Sequence, residues 1–166
     1  MRKSGFTLIE LALYLALAAI VLSGSAAMIS LVFDARIKDM VVNEVEQQGD
    51  LVLQNITQSI RNATVVNYPT PGTSTSTLSI DTLVGVNNPT IFSLSGGTIF
   101  IKEGAASAIA LTNSRVLVSG LNFQNLAQTG ANDSLRVSFV MTYNSSSANP
   151  VYQYSRTFYG SGSLRQ

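Results

Sequence analysis

The chain of 166 residues contains neither histidine nor cysteine, and those two absences remove most enzyme chemistry at once. Without imidazole there is no side chain that titrates near neutral pH to serve as a ready general acid or base. Without thiols there are no cysteine nucleophiles, no thiolate metal sites and no disulfides, so an extracellular domain would have to hold together by packing alone. The acids of the β-rich region, Asp81, Glu103 and Asp133, lie far apart in sequence and read as solvated surface groups rather than a hydrolytic pair. Asn132-Asp133-Ser134 offers oxygen ligands, but no dense carboxylate loop with calcium-binding spacing surrounds it. Gly160-Ser161-Gly162 is followed by no helix and reads as a flexible end rather than a phosphate cradle. The expectation is therefore no catalytic residue, no cofactor and no metal, in a protein that is not an enzyme.

Charge is scarce too, with ten basic and nine acidic residues. Arg61, Lys102, Arg115, Arg136, Arg156 and Arg165 are scattered, whereas a nucleic-acid binder shows clustered basic residues, so no direct nucleic-acid binding is expected. Proline is absent before Pro69, which leaves the first third of the chain free of helix breakers.

What is present is concentrated at the N-terminus. Leu11 to Phe33 is 23 residues without a charge, enough for a helix of roughly 34 Å that crosses a bilayer core. Immediately before it stands one acid, Glu10. A carboxylate in a lipid-facing helix costs about 2.5 to 3.5 kcal/mol at the bilayer centre and less near the interface, so it asks for a cationic partner. Cutting after Gly5 would supply one by freeing the α-amino group of Phe6, four positions from Glu10. Three plainer readings compete, one of them a simple uncleaved signal anchor. Glu10 can be an acid favoured by the first turn of a helix. The segment can also be a secretory signal, with Arg2 and Lys3 as its charged region and Ser23-Gly24-Ser25-Ala26-Ala27 as its cleavage region. The apolar run continues past Ala27 to Phe33, as a retained helix requires.

The stretch Gly5-Phe6-Thr7-Leu8-Ile9-Glu10, after a short basic leader and before an apolar helix, resembles the class III signal of the type IV pilin and type II secretion pseudopilin superfamily. The resemblance implies cleavage between Gly5 and Phe6 by a prepilin peptidase, N-methylation of Phe6 by the same N-methyltransferase, and assembly at an inner-membrane platform with other pilin or pseudopilin subunits. It further implies that Glu10 neutralises the Phe6 amine of a neighbouring subunit and so sets register. The open alternative is a membrane-anchored extracytoplasmic binding domain that does not polymerise. With Arg2 and Lys3 on one side and a balanced flank on the other, the N-terminus is expected in the cytoplasm and the remainder outside.

Beyond the apolar run, Ile37, Val41, Val45, Val52, Ile56 and Ile60 recur at helical spacings among polar neighbours, predicting an amphipathic continuation to about Ala63, with Gly24 and Gly49 as soft points. Tyr68-Pro69-Thr70-Pro71-Gly72 ends it and Thr73 to Thr77 is a Ser/Thr tract, together a connector. After the connector the period becomes two. Short strands are predicted near 78–80, 91–94, 98–102, 108–112 and 115–118, with a turn at Gly96-Gly97. Leu135, Val137, Phe139, Met141 and Tyr143 form the clearest apolar strand face, to be paired with Val151 to Tyr159, whose aromatics read as core or cross-strand pairs. The expected fold class is α+β: a long N-terminal helix, membrane-spanning in its first half and amphipathic in its second, packed on an antiparallel β-sheet head. The expected boundaries are a cleaved leader 1–5, a membrane or filament-core helix 6–33, an amphipathic helix 34–63, a connector 64–77 and a head 78–166. Within the superfamily this order, with Leu111-Thr112-Asn113 followed by Val116, Val118, Leu121 and Phe123, looks most like minor pilins and J-type pseudopilins.

Overall fold

The computed structural model describes residues 7–128 and 133–164. Among the described residues a single α-helix, α1, runs over Leu8–Asn62, and nine strands follow. The chain forms two compact units, one up to Asp39 and one from Met40 onward. The first is the N-terminal part of α1 alone. The second, the head, contains the rest of α1 and all the strands.

In the head, α1 buries Val41, Val45, Gly49, Val52, Ile56 and Ile60. Successive members are three or four residues apart, so they form one stripe along the helix, and the charged and amide side chains between them fall on the remaining faces. The helix gives way at Ala63 to β-branched Thr64, Val65 and Val66, which start β1 (Ala63–Tyr68) without any loop.

Two antiparallel sheets complete the head. One has the order β1-β3-β4-β5-β6, with β3 at Leu78–Thr82, β4 at Thr90–Ser95, β5 at Thr98–Glu103 and β6 at Ile109–Ala110. The other has the order β2-β7-β8-β9, with β2 at Ser74–Thr75, β7 at Val116–Asn125, β8 at Ser134–Tyr143 and β9 at Ser155–Ser163. Gly96-Gly97 closes the β4–β5 hairpin with φ of +56° and +78°, backbone angles that side chains disfavour and a tight hairpin turn requires. The amide of Val118 donates to the carbonyl of Gly97 at 2.8 Å, tying that turn to β7 across the two sheets.

One continuous core lies under the helix. Leu135, Val137, Phe139 and Met141 alternate along β8 and are fully buried, together with Phe92, Ile99 and Phe123 from neighbouring strands. The expected α+β class, one long N-terminal helix on antiparallel strands, is what the chain adopts.

Four details differ from expectation. The segment read as a connector carries β1 and β2, because its β-branched residues find partners: Val66 pairs with Ile80, and Thr75 with Phe123. The strand expected over 108–112 shortens to Ile109–Ala110. The partner of β8 starts at Ser155 rather than Val151, since Pro150–Tyr152 forms a 3-10 turn, and it runs on through Gly160-Ser161-Gly162, which is ladder and not a flexible end. Gly49 is no soft point, because a Cβ there would penetrate the ring of Phe158.

That last contact explains how α1 lies so close to β9. A Cβ on Gly160 would stand 2.6 Å from Leu53 Cδ1, and one on Gly162 would stand 2.9 Å from Ile60 Cγ2. The small residues of β9 thus leave the space that the helix side chains fill. Phe158 stacks on Phe139 with ring centroids 5.3 Å apart, continuing the contact into β8.

Candidate functional site

Gly5 and Phe6 lie outside the described residues; Glu10 lies within them, in the first turn of α1. Thr7 begins the helix: its carbonyl accepts from Leu11 N at 3.2 Å, and its hydroxyl accepts from Glu10 N at 3.4 Å. Thr7 and Glu10 therefore have the spacing of a capping box, in which a hydroxyl and a carboxylate three residues apart serve the unpaired amides of a helix start. An acid in the first turn also faces the positive end of the helix dipole. That effect accounts for an acid at this position without accounting for the apolar surface that follows.

Every described residue from Thr7 to Arg36 is exposed. Leu8 is 86% accessible, Leu22 70% and Leu31 69%, and the other large apolar side chains of the segment are similarly uncovered. An apolar surface this extensive, found all round a helix, does not persist in water; it requires lipid or other apolar helices as its surroundings. The polar groups of the segment are compatible with either. Ser23, Ser25 and Ser30 donate their hydroxyls to the carbonyls of Ile20, Val21 and Ala27 at 2.8 to 2.9 Å, so no serine needs water. By length and composition α1 is able to cross a membrane.

In the head, Glu44 and Glu46 flank buried Val45 and grip, respectively, the turn that leads into β7 and the start of β9. Glu44 accepts from Asn113 Nδ2 at 2.6 Å and from Arg115 Nη1 at 3.3 Å. Glu46 accepts from the Tyr154 hydroxyl at 2.7 Å and pairs with Arg156, whose guanidinium also stands over the Phe158 ring. Glu44 and Glu46 are among the polar neighbours of the apolar stripe, which the helical spacing alone assigns to the wet face without these partners. Nothing local marks them, because the residues that receive them lie about 70 to 108 positions away along the chain.

The remaining carboxylates are dispersed. Asp81 sits in β3 opposite Val65, Glu103 ends β5, and Asp133 accepts from the buried amide of Asn125 at 2.8 Å. Among the described residues no three acidic side chains come together as a metal site would need. A groove of about 710 Å³ beside the end of α1 is lined by Ala63, Leu83 and Val84 together with hydroxyls, amides, Arg61 and Glu103, the last two of opposite charge and so no acid pair.

Residues 1–26 match the family model of the prokaryotic N-terminal methylation motif. The chain thus carries the signature of type IV pilins and pseudopilins at its N-terminus, in the stretch that holds Gly5, Phe6 and Glu10. The match ends before the head begins. No curated protein and no solved structure matches the chain. The motif marks pilin-like precursors, structural proteins rather than enzymes, and implies processing by a prepilin peptidase. An N-terminal apolar helix fits anchoring of such a precursor in the cell envelope.

Proposed function

We propose that the chain is a structural subunit that is assembled into a type IV pilus or pseudopilus after its leader is removed. Residues 1–5 are the leader, cut between Gly5 and Phe6, and Phe6 is the residue that is N-methylated. The precursor sits in the membrane with its N-terminus in the cytoplasm and its head outside. Residues 6–33 span the membrane and later become filament core, 34–63 carry the head, and the strands that follow, β1 and β2 included, present the exposed surface. At the assembly platform the stem exchanges lipid for the stems of other subunits. There the carboxylate of Glu10 meets the amine of an adjacent Phe6, and an ion left unpaired in so dry a setting is costly, which penalises a subunit at the wrong height.

The observation that carries this reading is the coincidence, in one segment, of the methylation motif and a fully uncovered apolar helix with a single acid at its start. Mass spectrometry of the protein isolated from the envelope and from sheared filaments is the test. The reading expects a chain that starts at N-methyl-Phe6 in both fractions. A start near Met28, or a leader retained in filament material, would overturn it, and a mature chain confined to the envelope would favour the non-polymerising binding domain.

A further inference from the structure

The head has four sheet edges, and three of them are closed to further pairing by familiar means. Strands β2 and β6 have two residues each, too short to template a partner. Strand β1 is broken twice in its register, between Ala63 and Val65 and between Val66 and Tyr68. The fourth edge, β9, has none of these devices. Its nine residues all pair with β8 in one uninterrupted register, from Ser134↔Ser163 to Thr142↔Ser155. It contains no proline and no lysine, and its single charge, Arg156, is taken by Glu46.

The direction of its free hydrogen-bonding groups follows from the ends of the ladder. Tyr143 N donates to Tyr154 O at 2.9 Å, and Leu164 N donates to Asp133 O at 3.2 Å. In an antiparallel pair hydrogen bonding alternates, so the even-numbered residues 154 to 164 turn their backbone toward β8. Ser155, Thr157, Tyr159, Ser161 and Ser163 therefore turn their amides and carbonyls outward, and no strand meets them among the described residues. Beside this edge runs a groove of about 520 Å³, lined by Gln54, Thr57, Gln58, Arg61 and Asn62 of α1 and by Ser163 and Leu164. Arg61 is the one charge in that lining, and it has no ion-pair partner among the described residues.

We propose that the free edge of β9 takes up an extended segment of a second, different protein, which places a carboxylate against Arg61. Main-chain pairing supplies the affinity, and the amide-lined groove with its single cation supplies the selection. A second copy of the chain does not fit this role. In an antiparallel pair of β9 with β9 the two helices also run antiparallel, because α1 follows β9 from Gly49 at Phe158 to Ile60 at Gly162; Met40, where the chain enters the head, then lies at opposite ends, and two copies anchored in one membrane do not form that pair. That exclusion rests on the membrane-anchored reading given under Proposed function.

The test uses the full chain in detergent micelles and two synthetic seven-residue peptides of alternating threonine and valine, one with a central glutamate and one with a central lysine. The glutamate peptide is expected to bind about five-fold more tightly than the lysine peptide, a preference that Arg61→Glu reverses. On binding, the amides of Thr157, Tyr159 and Ser161 gain hydrogen-exchange protection. Ser161→Pro removes an outward donor and leaves the ladder to β8 intact, so it weakens binding about ten-fold while the helical and sheet signals in circular dichroism stay unchanged. Failure of both peptides to bind, equal binding by the two, or protection of these amides by concentration-dependent self-association without peptide would each overturn the proposal. Because binding in micelles requires neither leader removal nor filaments, failure here is separable from failure of the assembly reading.

Discussion

The two parts of α1 are one continuous helix built on opposite rules. Up to Arg36 every described residue is exposed, and from Leu11 to Phe33 none is charged. From Met40 to Asn62 the buried apolar residues lie on one stripe, and acids, amides and Arg61 share the rest of the surface with exposed Met40 and Leu51. Helix formation is common to both; what differs is where the cover comes from. The second part finds it in the strands of its own chain, while the first must obtain it from lipid or from other chains. Stability of the head is therefore a property of the single molecule, and behaviour of the stem is a property of its surroundings.

Truncation should separate the parts most strongly. Phe139→Ala removes a fully buried ring that stacks on Phe158, and is expected to cost the head about 3 to 5 kcal/mol, read as a fall in its denaturation midpoint. Leu22→Ala, which removes an uncovered side chain of the stem, should leave that midpoint where it was.

The two helix glycines should respond with opposite signs. Gly49→Ala drives a methyl group into the Phe158 ring, and the resulting shift of helix against strand is expected to cost about 1 to 3 kcal/mol of head stability. A Cβ on Gly24 meets nothing within 4 Å, so Gly24→Ala should stabilise the helix there by about 0.5 to 1 kcal/mol, seen as slower amide exchange around residue 24 in micelles. If both substitutions stabilise, Gly49 is a mere weak point and the close approach to β9 is wrong.

The smallest effect belongs to the polar grips. Glu44 and Arg115 form a pair in which the arginine is 68% exposed, so a double-mutant cycle with Glu44→Gln and Arg115→Gln should return no more than about 1 kcal/mol, falling further at high salt. A coupling of several kcal/mol would mean that the grip, rather than the apolar stripe, holds the helix in place.

How much of this was legible in the sequence follows from what each feature depends on. The charge-free run, the N-terminal methylation motif, the spacing of Val41, Val45, Val52, Ile56 and Ile60, and the alternation along β8 are patterns within one segment, and a periodic segment declares its buried face. The Gly96-Gly97 turn declares itself for the same reason. Gly49, Gly160 and Gly162 were misread because a glycine looks permissive until its tertiary neighbour is known; here the neighbours are Phe158, Leu53 and Ile60. Strand β1 was hidden because its pairing with β3 depends on residues on the far side of a proline-containing turn. The division of nine strands between two sheets is likewise a matter of long-range pairing, to which a local pattern gives no access.

Under the proposed assembly, Glu10 is tolerated beside an apolar stem because it pairs with the Phe6 amine of another subunit. That pairing is tested most directly by expressing Glu10→Ala in the native host and measuring, in the same cells, the N-terminal mass and the amount recovered in sheared filaments. Loss of the variant from filaments with cleavage at Phe6 intact is the outcome expected here; a variant recovered in filaments at the wild-type level would contradict it.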